Sequence, residues 1–329
     1  VQVNKRVVFW VKVVVVVTLL AAVGKKVWDS WGQVEKEHIA VNGWWGAVAV
    51  AGFCFNMLIG SLVWKWLATK MGGSEKRASG IRMVGAYTFS QMGKYFPGKV
   101  ALLLMRIERA GRFGISTRTT TLSTLLENAL YMISGGLAGI VAVVKVAGHL
   151  EGNLKWLVWA ATLGAISVLA LGCYPPIFYG LVNRLLSKVK KEEIGRGEWL
   201  KESTLVGGVI GFLPCWIFGG LAMWATMRAL HPVSLVDNWW LAGAFALSVI
   251  IGMASFLPGG AGVREVVLGV AAAMQFEAAG VGHANAIIMA TVAAGLQRLF
   301  QIAAELIMGA FGALVTRKRK AEKFHEEHR

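Results

Sequence analysis

The sequence predicts an all-α integral membrane protein, a polytopic bundle of about six full spans and two re-entrant hairpins arranged as an inverted repeat. Three observations carry this reading. The 329 residues are 56% hydrophobic and 16% charged, with a mean hydropathy of +0.58, a balance that excludes a soluble cytoplasmic protein. Long apolar runs recur at the length needed to cross ~30 Å of hydrocarbon. Two further apolar runs are broken in the middle by Pro-Gly, at Pro97-Gly98 and Pro258-Gly259, and these prolines lie 161 residues apart.

The first run, Val7 to Val23, follows Lys5 and Arg6 and reads as an uncleaved helix in preference to a signal peptide ending near Ala22 and Gly24. The other full spans are Trp44 to Leu67, Thr119 to Val144, Trp156 to Leu181, Leu205 to Met227 and Asn285 to Val315. Of the interrupted regions, Ile81 to Leu104 and Trp239 to Met274, the first has arms too short to cross. Both are expected to turn back at tips carrying Tyr95-Phe96-Pro97-Gly98-Lys99 and Phe256-Leu257-Pro258-Gly259-Gly260. Backbone of that kind survives in a membrane only where protein or a watery cavity covers it.

The 161-residue offset also carries Trp44 to Leu67 onto Leu205 to Arg228, and Val7 to Val23 onto Val168 to Arg184. One membrane domain therefore divides into two copies, 1–150 and 151–315, followed by a basic tail, 316–329. With three crossings per copy, the second is expected to be inverted. Loop charge agrees: loops 68–83, 182–202 and 316–329 are net basic, while loop 24–43 is balanced. The positive-inside rule then places both termini in the cytoplasm. It also accounts for the formal net charge of +16 without a nucleic-acid partner.

A charge kept in mid-bilayer needs a partner, a cavity or a task. Glu127 shares a helical stripe with Ser123, Tyr131 and Ser134, and Arg298 shares one with Thr291, Gln301 and Glu305. These stripes either line a substrate path or let Glu127 and Arg298 pair to hold helices together. Lys12 and Lys65 lie near span ends, where snorkelling explains them. Arg106, Arg109 and Arg112 form a basic stripe after the first tip, and Arg264 and Glu265 follow the second. Beside Gly98, Gly259, Gly260 and Gly262 these groups suit a phosphate. The alternative is that the glycines serve turning and the arginines the lipid interface.

No catalytic or metal constellation is visible. The histidines (His38, His149, His231, His283, His325, His328) fall in loops, tails or span ends, and Cys54, Cys173 and Cys215 are scattered in apolar runs. No cofactor, metal or enzymatic activity is expected. Gly135 with Gly139 and Gly207 with Gly211 are spaced for close helix contact, whereas Gly309 and Gly312 fit such a face less well.

Tyr95 to Lys99, Arg106, the stretch Gly111 to Ser116, Glu127, the run Pro258-Gly259-Gly260-Ala261-Gly262-Val263-Arg264-Glu265 and Arg298 together resemble the membrane family typified by the transmembrane region of bacterial lysylphosphatidylglycerol synthases. The resemblance covers nearly the whole chain, and the second Pro-Gly motif is the more specific. Asn128 departs from it, standing where many members carry arginine. The resemblance implies an inner-membrane lipid translocase. It also implies that the cargo, a phospholipid or a polyprenyl-phosphate-linked lipid, is made by a separate enzyme, since the synthase domain is not seen in this sequence. The partners expected are that membrane lipid and, alternatively, a lipid-synthesising enzyme to which the chain would be an accessory subunit.

Overall fold

The computed structural model describes residues 41–72, 80–95, 100–148, 152–172, 174–188, 194–196, 199–236, 239–255, 260 and 262–317. All regular structure among the described residues is helical. In chain order the helices are α1 (Gly43–Lys70), α2 (Gly80–Ser90), α3 (Val100–Gly111), α4 (Thr117–Ala147), α5 (Gly152–Gly172), α6 (Pro175–Lys188), α7 (Glu202–Arg228), α8 (Leu241–Ala254), α9 (Val263–Ala278) and α10 (His283–Val315), with a 3-10 turn, Gln91–Tyr95, continuing α2.

Four helices, α1, α4, α7 and α10, are 28, 31, 27 and 33 residues long and apolar enough to cross a membrane. They coincide with four of the expected spans. Their outward faces carry Leu62, Val206, Ile210, Ile217, Leu306 and Leu314, all large, apolar and exposed. In water this surface would drive association, whereas lipid tails match it. The expected span Val7 to Val23 lies outside the described residues, as do 24–40 and 318–329 of the outer loop and the tail.

One expected span is corrected. Trp156 to Leu181 is not continuous but divides into α5 and α6. The cause is Pro175-Pro176: proline lacks an N–H and pushes the residue before it out of helical conformation, yet suits the first turn of a new helix. α6 then buries Tyr179 and Val182 while exposing Ile177 and Leu181. The offset that maps Val7 to Val23 onto Val168 to Arg184 lands across this break.

The helices of the two Pro-Gly regions are short, 11 and 12 residues for α2 and α3 and 14 and 16 for α8 and α9. At ~1.5 Å per residue the longest reaches only about 24 Å. Each pair closes on itself. A Cβ on Gly93 would sit 2.5 Å from the backbone nitrogen of Leu102, and one on Gly252 2.6 Å from Cγ of Arg264. The tip residues 96–99, 256–259 and 261 lie outside the described set.

α1 lies along α7 at the centre. Around that pair, α4 packs on α8 as α10 packs on α2, and α10 packs on α1 as α4 packs on α7. Glycine makes the outer crossings close. A Cβ on Gly243 would meet the Ala138 carbonyl oxygen at 2.6 Å, and one on Gly312 would meet the Gly85 carbonyl oxygen at 2.5 Å. Gly309 likewise faces Met92, so the expectation that Gly309 and Gly312 fit a packing face poorly is corrected. Their partners are two different segments, α2 for Gly312 and the 3-10 turn that continues it for Gly309, so a single four-residue spacing is not required. Gly207 and Gly211 abut Trp66 and Val63 across the α1–α7 seam, as expected.

Candidate functional site

Two charged clusters occupy the interior. The first is built around Arg106, which α3 carries inward on its single buried stripe and which is fully enclosed. Its Nε donates to Ser90 Oγ on α2 at 3.0 Å, and its Nη1 donates to Thr124 Oγ1 at 3.4 Å and to the Glu127 carboxylate, both on α4. The guanidinium carbon lies 4.3 Å from the ring centre of Tyr87 and 5.0 Å from that of Trp64. Burying two ions costs several kcal/mol each on general grounds, and the added hydrogen bonds and aromatic faces offset that cost here. The cluster is electrically neutral and ties α3 to α1, α2 and α4.

The rest of the Glu127 stripe also faces inward. Ser123 receives the indole N–H of Trp64 at 3.1 Å, Ser134 receives that of Trp216 at 3.0 Å, and Tyr131 packs against Trp216 and Phe212. Asn128 turns back to the Thr124 carbonyl at 2.7 Å, one turn earlier on its own helix.

The second cluster joins the start of α9, the middle of α10 and the 3-10 turn. Gly262, with φ of +85°, is the N-cap of α9, and Gly260 before it has φ of +68°. Both values lie where a side chain would be strained, so these two positions require glycine. Glu265 accepts the Gly262 N–H at 2.6 Å, closing the first turn, and its other oxygen lies 3.9 Å from Nε of Arg298. Arg264 is 7% exposed, its stem laid against Gly252 and Gly260 and its head 5.6 Å from the ring centre of Phe245. Its Nε and Nη2 are buried with no hydrogen-bond partner. Lys94 reaches from the 3-10 turn to Glu305 on α10, and Gln301 donates to the same carboxylate oxygen at 2.9 Å. Lys94, Arg264 and Arg298 lie within electrostatic reach of one another.

Glu127 and Arg298, expected either to share a path or to pair, are held in separate clusters. Each has an ion-pair partner in its own half of the chain, Arg106 for Glu127 and Glu265 for Arg298.

The basic stripe after the first tip does not act as one surface. Arg106 points inward, while Arg109 donates to Thr316 Oγ1 at 2.8 Å and Arg112 to the Thr316 carbonyl at 3.4 Å. Thr316 caps the C-terminus of α10, so these arginines meet the negative end of its dipole. Glu108 pairs with both, and Arg109 also covers the Phe89 ring at 3.8 Å. The stretch Gly111 to Ser116 makes a turn at Gly114, with φ of +82°, and ends in Ser116, whose Oγ caps α4 by accepting the Thr119 N–H at 3.0 Å.

Of the remaining candidate residues, Tyr95 closes the 3-10 turn. Pro97, Gly98, Lys99, Pro258 and Gly259 lie outside the described residues. Sequence reading missed Lys94, Ser90, Thr124, Tyr87 and Trp64. Lys94 carried a signal, as a charge inside an apolar arm beside the tip; the others are ordinary residues until the fold brings Arg106 to them. Among the described residues, no group of three or more His, Cys, Asp and Glu side chains is placed to hold a metal ion.

Apolar spans around buried ion pairs define a multi-pass helical membrane protein with a charged interior. The chain belongs to the family of the lysylphosphatidylglycerol synthase transmembrane region, which matches residues 9–304. No curated protein and no solved structure matches it.

Proposed function

We propose that this protein moves a phosphate-bearing lipid between the leaflets of a bacterial inner membrane, without covalent chemistry of its own. In this reading the two Pro-Gly regions are re-entrant hairpins, the first opening from the cytoplasm and the second from outside, and both termini are cytoplasmic. The reciprocal packing of α4 on α8 and α10 on α2 supports an inverted repeat of 1–150 and 151–315 about the α1–α7 seam. The cargo headgroup passes between the hairpins, and the lipid tails stay in the bilayer.

The observation that carries the reading is Arg264. A guanidinium kept in a membrane interior with two buried, unpartnered donors is costly on structural grounds alone, and it matches the oxygens of a phosphate. The two glycines beside it accommodate the arginine's own stem, which a side chain at either position would displace.

The test is reconstitution of the full chain in liposomes containing fluorescent phospholipid, with dithionite quenching of the outer leaflet. The expected result is lipid exchange well above protein-free vesicles, lowered by Arg264→Gln. Binding of lipid with exchange at the background rate would instead make the chain an accessory subunit of a lipid-synthesising enzyme.

A further inference from the structure

We infer that α6 is an interfacial helix, lying in the headgroup layer of an anionic leaflet with Tyr174, Ile177 and Leu181 dipped into lipid and Arg184 at the phosphates. Only the choice of leaflet, the cytoplasmic one, rests on the topology proposed above.

Length and position supply the first argument. α6 has 14 residues, about 21 Å of helix, and is too short to cross. Its inner face rests near the ends of spanning helices. Tyr179 and Val182 pack with Leu122 early in α4, with Ile194 and with Met71 at the C-cap of α1, and Phe178 packs on the cluster that holds Leu200 and Leu205 where α7 begins. α6 therefore sits at the level where α1, α4 and α7 meet the headgroups.

The chain that follows locks this face inward. Asn183 Nδ2 donates to the Ile194 carbonyl at 3.0 Å while its Oδ1 accepts the Ile194 N–H at 2.8 Å. The Tyr179 hydroxyl accepts the Leu200 N–H at 2.9 Å, and Trp199 stacks on the Tyr179 ring with centres 5.1 Å apart.

The outer face divides into two edges. Tyr174, Ile177 and Leu181, at three- and four-residue steps, form an apolar edge that is 52%, 39% and 56% exposed. Pro176, Gly180 and Ser187, also exposed, lie further round and carry no large apolar side chain, and the exposed Arg184 falls between the two edges. A buried face, an apolar edge and a hydrated edge with arginine at their border suit a helix held between hydrocarbon and water.

Lipid is the occupant that the surroundings favour. The apolar edge begins three residues after Leu171, exposed at the end of α5, and α7 starts beside α6 with Val206 and Ile210 exposed, so the edge continues the lipid-facing surface. Three side chains fall far short of the ~1,200 Å² that a stable protein interface buries. Charge agrees: Lys70, Arg184, Arg196 and Lys201 are exposed on α6 and the segments packed against it, against Glu202, and an anionic leaflet attracts such a cluster.

The test uses the full chain with Cys54 and Cys173 replaced by serine and the enclosed Cys215 retained. Single cysteines at Ile177, Leu181, Gly180 or Ser187 carry a spin label, in phosphatidylcholine vesicles with or without phosphatidylglycerol. All four positions are exposed, and nothing lies within 4 Å of a Cβ on Gly180, so the labels fit without repacking. Electron paramagnetic resonance compares access of oxygen, which concentrates in lipid, with that of a water-soluble nickel chelate. The oxygen-to-nickel ratio should be several-fold higher at 177 and 181 than at 180 and 187. It should rise further at 177 and 181 with phosphatidylglycerol present, an increase that Arg184→Gln lessens. Equal nickel access at all four positions would show a bare face, and exclusion of both reagents from 177 and 181 would show a protein partner or a second copy; either result overturns the inference. A ratio indifferent to phosphatidylglycerol overturns its anionic part. With the ratio as expected, labelling of Gly180→Cys by an impermeant maleimide from the periplasmic side would sink the topology and leave the interfacial helix standing; cytoplasmic labelling with a uniform ratio would do the reverse.

Discussion

Arg106 and Glu127 form an ion pair sealed from solvent, with the guanidinium fully enclosed between the Tyr87 and Trp64 rings. The pair joins a short helix to a spanning one and leaves no net charge behind. Arg106 and Arg264, alike in sequence as arginines following a Pro-Gly tip, are therefore unlike in the fold: Arg106 pairs with a carboxylate, with only its Nη2 left buried and unpartnered, whereas Arg264 forms no ion pair among the described residues.

Arg106→Met or Glu127→Leu alone should each cost about 3–5 kcal/mol, because each strands the other charge in the interior. The double variant should lose less than the two singles combined, by at least ~1 kcal/mol. Chemical unfolding in detergent micelles measures all three, and additive losses would show that the pair is not coupled.

Gly312→Ala tests the α2–α10 crossing. The new Cβ would meet the Gly85 carbonyl oxygen at 2.5 Å and the Phe89 nitrogen at 2.7 Å, both backbone atoms that cannot swing aside. A loss of roughly 1–3 kcal/mol is expected. Gly269→Ala, in mid-α9 with nothing within 4 Å of its Cβ, should be neutral or stabilising by up to about 1 kcal/mol. Equal melting temperatures for the two variants would contradict the crossing.

Arg109→Ala should loosen the end of α10. It removes a hydrogen bond to Thr316 and a cation at a helix C-terminus, together worth about 1 kcal/mol. Hydrogen exchange over residues 312–317 should quicken, with little change in α1 or α7. Protection unchanged at those amides would show that Arg112 holds the end alone.

Single cysteines should label from the cytoplasm in loops 68–83 and 182–202 and from outside in loop 145–155. Periplasmic labelling of loop 182–202 would end the inverted-repeat proposal, since that proposal puts the connection between α6 and α7 on the cytoplasmic side.

The sequence by itself determined the solvent, the four long spans and the two interruptions, because length and apolarity are local properties that lipid selects directly. It also marked Arg106, Glu127, Arg264, Glu265 and Arg298, since an ion costs too much in a bilayer to be there without cause. It misjudged Trp156 to Leu181 because hydropathy averages over a Pro-Pro pair that backbone geometry does not tolerate in mid-helix. Partnership was decided only by the tertiary structure. Glu127 could have met Arg298 as readily as Arg106 on helical spacing, and nothing local separates Arg109, turned to a helix end, from Arg106, turned inward. Which cation meets which carboxylate depends on how helices far apart in sequence cross, and that is set by glycines such as Gly85 and Gly312 letting two backbones touch.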